Sequence, residues 1–162
     1  MYKYSRMNTL TPNKNYLSPN GFKINIASSQ FSNVEYFCTR LAHPAISMAG
    51  APLPFRGFTA HVAGDRIEYG TLDIQFMISE YMENYIEIFN WMQSNHDSVG
   101  QFLKADIVLS VLDSSNNITK KIRYVDAFPV SLGAVDLHTQ NTDVEYVTAD
   151  ASLQYTYFEF ID

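Results

Sequence analysis

From Thr71 to Ile78 the side chains alternate: Leu72, Ile74, Phe76 and Ile78 are apolar, Thr71, Asp73 and Gln75 are polar, and only Met77 breaks the pattern. A period of two puts the apolar set on one buried face of a sheet and leaves the other face wet. The pattern then changes abruptly. Ser79 can accept a hydrogen bond from the first free amides of a helix, and Glu80 and Glu83 set negative charge against the positive end of its dipole. Projected at about 100° per residue, Tyr81, Met82, Tyr85, Ile88, Phe89 and Met92 share roughly a third of the helix circumference, opposite Glu80, Glu83 and Glu87. Trp91 projects beside the glutamates. Two readings of it are open: packing beneath the Asn95-to-Gly100 loop, or contact with another subunit.

The same periodicity recurs on both sides of this unit. Phe22, Ile24 and Ile26 alternate with Lys23 and Asn25, and a second strand over 34–41 follows the turn at 28–33, so the two predict a hairpin. Ile107, Leu109 and Val111 mark a strand over 105–112, Asp113 to Asn117 is rich in turn formers, and 118–125 returns as its partner. The segment 127–132 holds Pro129 and suits a strand edge or bend. Residues 147–158 alternate throughout and read as one long closing strand, while 137–142 is ambiguous between strand and loop. About seven strands, one helix and no strand-helix-strand alternation predict an antiparallel β-sandwich or barrel with a flanking helix.

Two segments stand apart. Residues 1–20 show no period and form an irregular arm, which leaves 21–162 as a single domain. Residues 42–60 alternate Pro44, Gly50, Pro52, Pro54 and Gly57 with Ile46, Met48, Leu53, Phe55 and Phe58. A loop of this length is uncommon in a compact domain unless it has a function, and its apolar side chains argue against disorder. They need a surface to pack on, either the parent domain or another subunit, and the second is the reading preferred.

With 162 residues and 46% apolar content, the chain can bury one sizeable core. The first thirty residues lack the apolar block of a secretory signal and no apolar run spans a bilayer, so a soluble protein assembled in a cytoplasm is expected. Cys38 is the single cysteine, which rules out an intrachain disulfide and paired-cysteine zinc sites and suits a small buried hydrophobe. The net charge of −6 is uneven: residues 1–34 hold Lys3, Arg6, Lys14 and Lys23 and no acid, for +4, leaving −10 on the rest. A basic arm that docks on the acidic body of a neighbouring copy fits this split better than nucleic-acid binding.

No constellation announces chemistry. His43, His61, His96 and His138 lie 18, 35 and 42 positions apart, without the short spacing of a metal site. There is no nucleophile elbow and no phosphate loop. No catalytic residue, metal or cofactor is expected, and the chain is not read as an enzyme.

The run Val62-Ala63-Gly64-Asp65-Arg66, taken as a turn, with the strand Leu72–Phe76, the helix end Phe89-Asn90-Trp91-Met92, the bend Phe128 to Gly133 and the strand Glu145 to Phe158, resembles the tail tube proteins of contractile-tailed bacteriophages in order and spacing. The resemblance covers most of residues 20–160. It implies a virion structural protein whose copies join edge to edge into hexameric rings, as the repeating tube subunit or as a baseplate-associated initiator or terminal ring. Its partners would be itself, the sheath and the baseplate or terminator proteins, with genome DNA passing through the lumen without specific binding. No membrane is involved, and the location is the virion tail after assembly in the host cytoplasm. At −6 per copy, an acidic lumen that repels DNA is the corresponding expectation. The resemblance places ring-to-ring contact in residues 42–60, and the assembly contacts read from it are Lys3, Arg6, Pro52, Phe55, Arg56, Phe58, Asp65, Arg66 and Trp91. The competing class is a monomeric β-sandwich that binds carbohydrate or another ligand on an aromatic platform.

Overall fold

The structure, a computed structural model, describes residues 16–27, 38–139 and 146–161. Among these residues nine strands and one helix follow in order: β1 (Phe22–Ile26), β2 (Cys38–Ala42), β3 (Ile46–Phe55), β4 (Phe58–Tyr69), β5 (Leu72–Met77), α1 (Glu83–Asp97), β6 (Ala105–Leu112), β7 (Ile118–Leu132), β8 (Thr148–Gln154) and β9 (Tyr157–Ile161). All strand pairings are antiparallel.

Strand β7 organises the domain. Its first half pairs with β6 and β9, and its second half pairs with β8, so a first layer in the order β1-β6-β7-β9 continues into a second in the order β7-β8-β5-β2. The bend lies at a bulge. Ile107 pairs with Tyr124 but Ala105 pairs with Ala127, so β7 carries one extra residue, and Asp126 there has φ 57°. The carboxylate of Asp106 accepts the Asp126 amide at 3.1 Å. The expected short strand over 127–132 is thus the second half of a continuous one. The chain over 147–158 breaks at the same level: Thr156 donates to Val125 O at 2.9 Å, and β8 and β9 go to different layers. One periodic run of sequence becomes two strands because the sheet it joins turns a corner.

Ile24, Ile107, Ile122 and Tyr124 of the first layer meet Leu72, Ile74, Phe76, Ala151 and Leu153 of the second in one core. Full burial of each large side chain contributes roughly 1.5–3 kcal/mol. Among the described residues the expected hairpin between 22–26 and the following strand does not form, since β1 pairs with β6 and β2 with β5, and residues 34–37 of the expected second strand lie outside them. Neighbours in sequence usually pair, but Ile24 and Ile26 find Leu109 and Ile107 on the far side of the domain.

The helix starts at Glu83, later than the Ser79 cap suggests, after a turn that holds Met82 at φ 56°. Ser79 Oγ still accepts the Glu83 amide at 3.0 Å. Asn84 makes the joint: fully buried, its Oδ1 accepts the Ser79 amide and its Nδ2 donates to Met77 O at 2.6 Å. The buried positions are Asn84, Ile88 and Trp91, with Tyr85 and Met92 packed alongside, whereas Phe89, Tyr81 and Met82 face out. The apolar face is therefore turned from the projected one toward Trp91, which is 2% exposed. The segment after the helix folds back over it, and Trp91 Nε1 donates to Leu103 O at 2.7 Å. Asn95 holds that segment by accepting from the Leu103 amide at 2.6 Å. Trp91 is a core residue, and the subunit-contact reading of it is corrected.

Candidate assembly surface

Residues 42–60, expected as a loop, form most of a hairpin that stands apart from the two core layers: among the described residues β3 and β4 pair only with each other. Every residue of β3 is exposed. The loop expectation failed for a physical reason. Phe58, Ala60 and Val62 do alternate with Thr59 and His61, but the run is short and its partner strand carries a glycine and two prolines, so the signals of a loop outweigh the period. Pro52 and Pro54 also argued against a strand, yet both sit opposite Thr59 and His61 in pairs that alternate with the turn-closing pair Phe55–Phe58. Those are the non-hydrogen-bonded pairs of the ladder, where a missing amide proton costs nothing. Arg56 and Gly57 make the turn, with Gly57 at φ 97°.

The Gly64-Asp65-Arg66 segment is a bulge, which corrects the turn read from sequence. Met48 pairs with Ile67 and Gly50 with Ala63, so β4 passes three residues, 64–66, opposite Ala49 alone. Gly64 is required there: a Cβ would lie 2.2 Å from Ala49 O. Beyond the bulge, directly opposed residues share a face, so Ala51, Leu53 and Phe55 line up with Val62, Ala60 and Phe58 in one apolar stripe. Phe55 and Phe58 stack at 5.4 Å and are 56% and 66% exposed. An uncharged stripe of this length in solvent marks a contact surface.

The hairpin's root is fixed differently. His43 before β3 and Tyr69 at the end of β4 both reach an aromatic cluster of Tyr124, Tyr155 and Phe158. His43 Nδ1 and Tyr124 Oη are hydrogen-bonded at 2.7 Å. Burial lowers the pKa of His43 and raises that of Tyr124, and burial with the neighbouring Tyr69 pushes Tyr155 up to about 12. These rings pack edge to face on one another, so they do not make the open platform that a carbohydrate-binding module would use. Cys38 is half-buried, and burial pushes its thiol up to about 11, away from the reactive thiolate.

Of the residues read as contacts, Pro52, Phe55, Arg56 and Phe58 come together on the outer hairpin, Asp65 and Arg66 sit in the bulge, and Trp91 is inside the domain. Lys3 and Arg6, with the rest of the arm to residue 15, lie outside the described residues. Two surfaces were missed by sequence reasoning. The first is the pair of open edges of the first layer, where β1 and β9 each have a single strand neighbour among the described residues. The second is a helix stripe of Met82, Ile86 and Phe89, exposed at 3- and 4-residue spacing. Among the described residues no three His, Cys, Asp or Glu side chains gather as a metal site, and no helix is long and apolar enough to cross a membrane.

No protein-family model and no curated protein matches the chain. Solved structures resemble it over nearly its whole length. A chain in the cryo-EM structure of the anti-feeding prophage tube terminating cap superimposes with a TM-score of 0.74 at 11% identity, covering 97% of this chain and 98% of that one. A chain of the sheath/tube terminator of PVC, an extracellular contractile injection system, in the extended state gives 0.72 at 15% identity over 93% and 100%. A chain of the 6-fold symmetrised anti-feeding prophage baseplate gives 0.69 at 13% identity over 92% and 97%. At these identities the likeness defines the fold: mainly β, antiparallel, with one helix, and tail-tube-like.

Proposed function

We propose that this chain is a structural subunit of a contractile tail or injection apparatus, and that its copies close into hexameric rings belonging to the tube, its terminator or its baseplate end. The observation that carries the proposal is the direction of the two open edges. In the first layer β1, β6, β7 and β9 alternate in direction, so β1 and β9 run opposite ways. Copies related by rotation can then pair β9 of one with β1 of the next as a continuous antiparallel sheet, with no edge left over. The six-fold symmetry belongs to the baseplate structure that the chain resembles, and it is the ring size proposed here.

In such a ring the second layer and the helix lie outside the wall, where the circumference has room for them. The first layer's outer face lines a bore through which an elongated cargo passes, the genome in a phage tail. The hairpin, whose strand β3 is exposed along its whole length, reaches a copy in the adjacent ring, and the Met82-Ile86-Phe89 stripe faces outward toward a sheath. The chain has no catalytic role in this reading.

Mass photometry and negative-stain imaging test it: rings or stacked tubes support it, and a persistent monomer at high concentration overturns it. Replacing Phe55 and Phe58 by Ser is expected to leave rings and a β-rich circular dichroism spectrum intact while abolishing stacking. Unchanged tubes would remove the hairpin from the stacking contact.

A further inference from the structure

The face of the first layer turned away from the core does not share the chain's charge. Among the described residues, strand alternation places on it Lys23, Lys121 and Arg123 against Asp106 and Glu159, three cations to two anions, on a chain that carries −6 overall. The acids are further engaged: Glu159 pairs with Arg123, and Asp106 accepts the Asp126 amide. Lys23 and Lys121 have no acidic partner among the described residues.

These two lysines share a row. Lys23 pairs with Ser110, Ser110 with Lys121, and Lys121 with Ile161. They therefore stand two strand spacings apart, about 10 Å. Resting on the ring proposed above, this row repeats around the bore, and the expectation of an acidic lumen is reversed. Glu80, Glu83 and Glu87 near and on α1 and Asp73 and Asp150 on the second layer lie on surfaces outside the wall.

We propose that Lys23 and Lys121 form a basic girdle in the bore that holds and guides a polypeptide cargo rich in carboxylates. The remainder of the face favours a polypeptide: Val108, Val125 and Ile161, together with the aromatic Tyr157, interleave with the charges, and aliphatic groups match the side chains of a protein, whereas a nucleic acid offers phosphates to cations and bases to aromatic rings. A phosphate chain would also engage the girdle of every successive ring and release counterions at each, which would hold it fast where passage is needed.

The test uses the full chain, with rings confirmed by negative-stain imaging in the same sample. Labelled poly-glutamate, poly-lysine and single-stranded oligothymidine are titrated against them by fluorescence anisotropy at low and moderate salt. Poly-glutamate is expected to bind, to weaken as salt rises, and to bind about tenfold more weakly to the Lys23→Gln/Lys121→Gln variant. The Lys23→Arg/Lys121→Arg variant retains binding. Rings that prefer poly-lysine, or that bind poly-glutamate equally after the glutamine substitutions, overturn the girdle while leaving the ring standing. Tighter, lysine-dependent binding of oligothymidine overturns the polypeptide assignment. Absence of rings overturns both the ring reading and the girdle that rests on it.

Discussion

His43 shows how much one side chain's role depends on neighbours far away in the chain. It hydrogen-bonds Tyr124, 81 positions later, and packs on Phe158, and this partial burial lowers its pKa below the ordinary 6.5. The titratable group against it is Tyr124, whose own pKa burial raises, and its other ring neighbour is Phe158. Because the folded state resists protonation, the unfolded chain binds more protons below pH 6.5, so stability is complete above that value and declines as pH falls through it. The thermal midpoint of the wild type is expected to drop more steeply between pH 6.5 and 5 than that of His43→Gln, by no more than a few degrees, and the two should run parallel above pH 7. Equal slopes throughout would show that His43 is not the group responsible. Nothing in the sequence pairs His43 with Tyr124, and nothing nominates Asn84 as a buried joint. Both depend on which polar atoms the fold leaves needing a partner.

At the scale of elements, the hairpin β3–β4 is bent by its bulge, and the bulge depends on Gly64. Gly64→Ala must move Ala49 O out of a 2.2 Å contact, at a local cost on the order of 1–3 kcal/mol. Since the hairpin lies outside the two core layers, the main melting transition should shift little. Amide exchange over 46–69 should accelerate, and ring stacking should be lost. Slowed exchange there, or a large fall in the global midpoint, would contradict a hairpin that is structurally separate. The strands whose outer face is wet and inner face dry, β1, β5, β6 and β8, were legible because burial on one side imposes period two. The hairpin was hard to read because Gly50, Pro52 and Pro54 of β3 outweigh the short alternation at the start of β4. The helix was legible as a helix, but its buried face was turned toward Trp91 by the segment that closes over it.

For the whole molecule, the decisive quantity is the match between β1 and β9 across copies. If the row Lys23-Ser110-Lys121-Ile161 runs on into the next copy's Lys23, Ile161→Lys sets three like charges on adjacent strands, which is destabilising, whereas Ile161→Glu sets an acid between two lysines. Mass photometry should show Ile161→Lys shifted toward monomer and Ile161→Glu holding rings to lower concentration, with circular dichroism unchanged in both. Identical oligomer distributions would remove this edge from the ring contact.

Periodicity and composition by themselves determined the class of fold: alternating runs, one amphipathic helix, a single cysteine and an unmatched Pro- and Gly-rich segment can be read from local chemistry. They also singled out residues 42–60 as a Pro- and Gly-rich segment whose apolar side chains need a surface to pack on. Only the tertiary structure decided which strands pair, that β7 and residues 148–161 turn a corner together, that Gly64 to Arg66 is a bulge, and that Trp91 is inside. It also separated the charge of one sheet face from the net charge of the chain. These are long-range outcomes. They follow from which surfaces compete for burial once the chain is compact, and no window of neighbouring residues contains that competition.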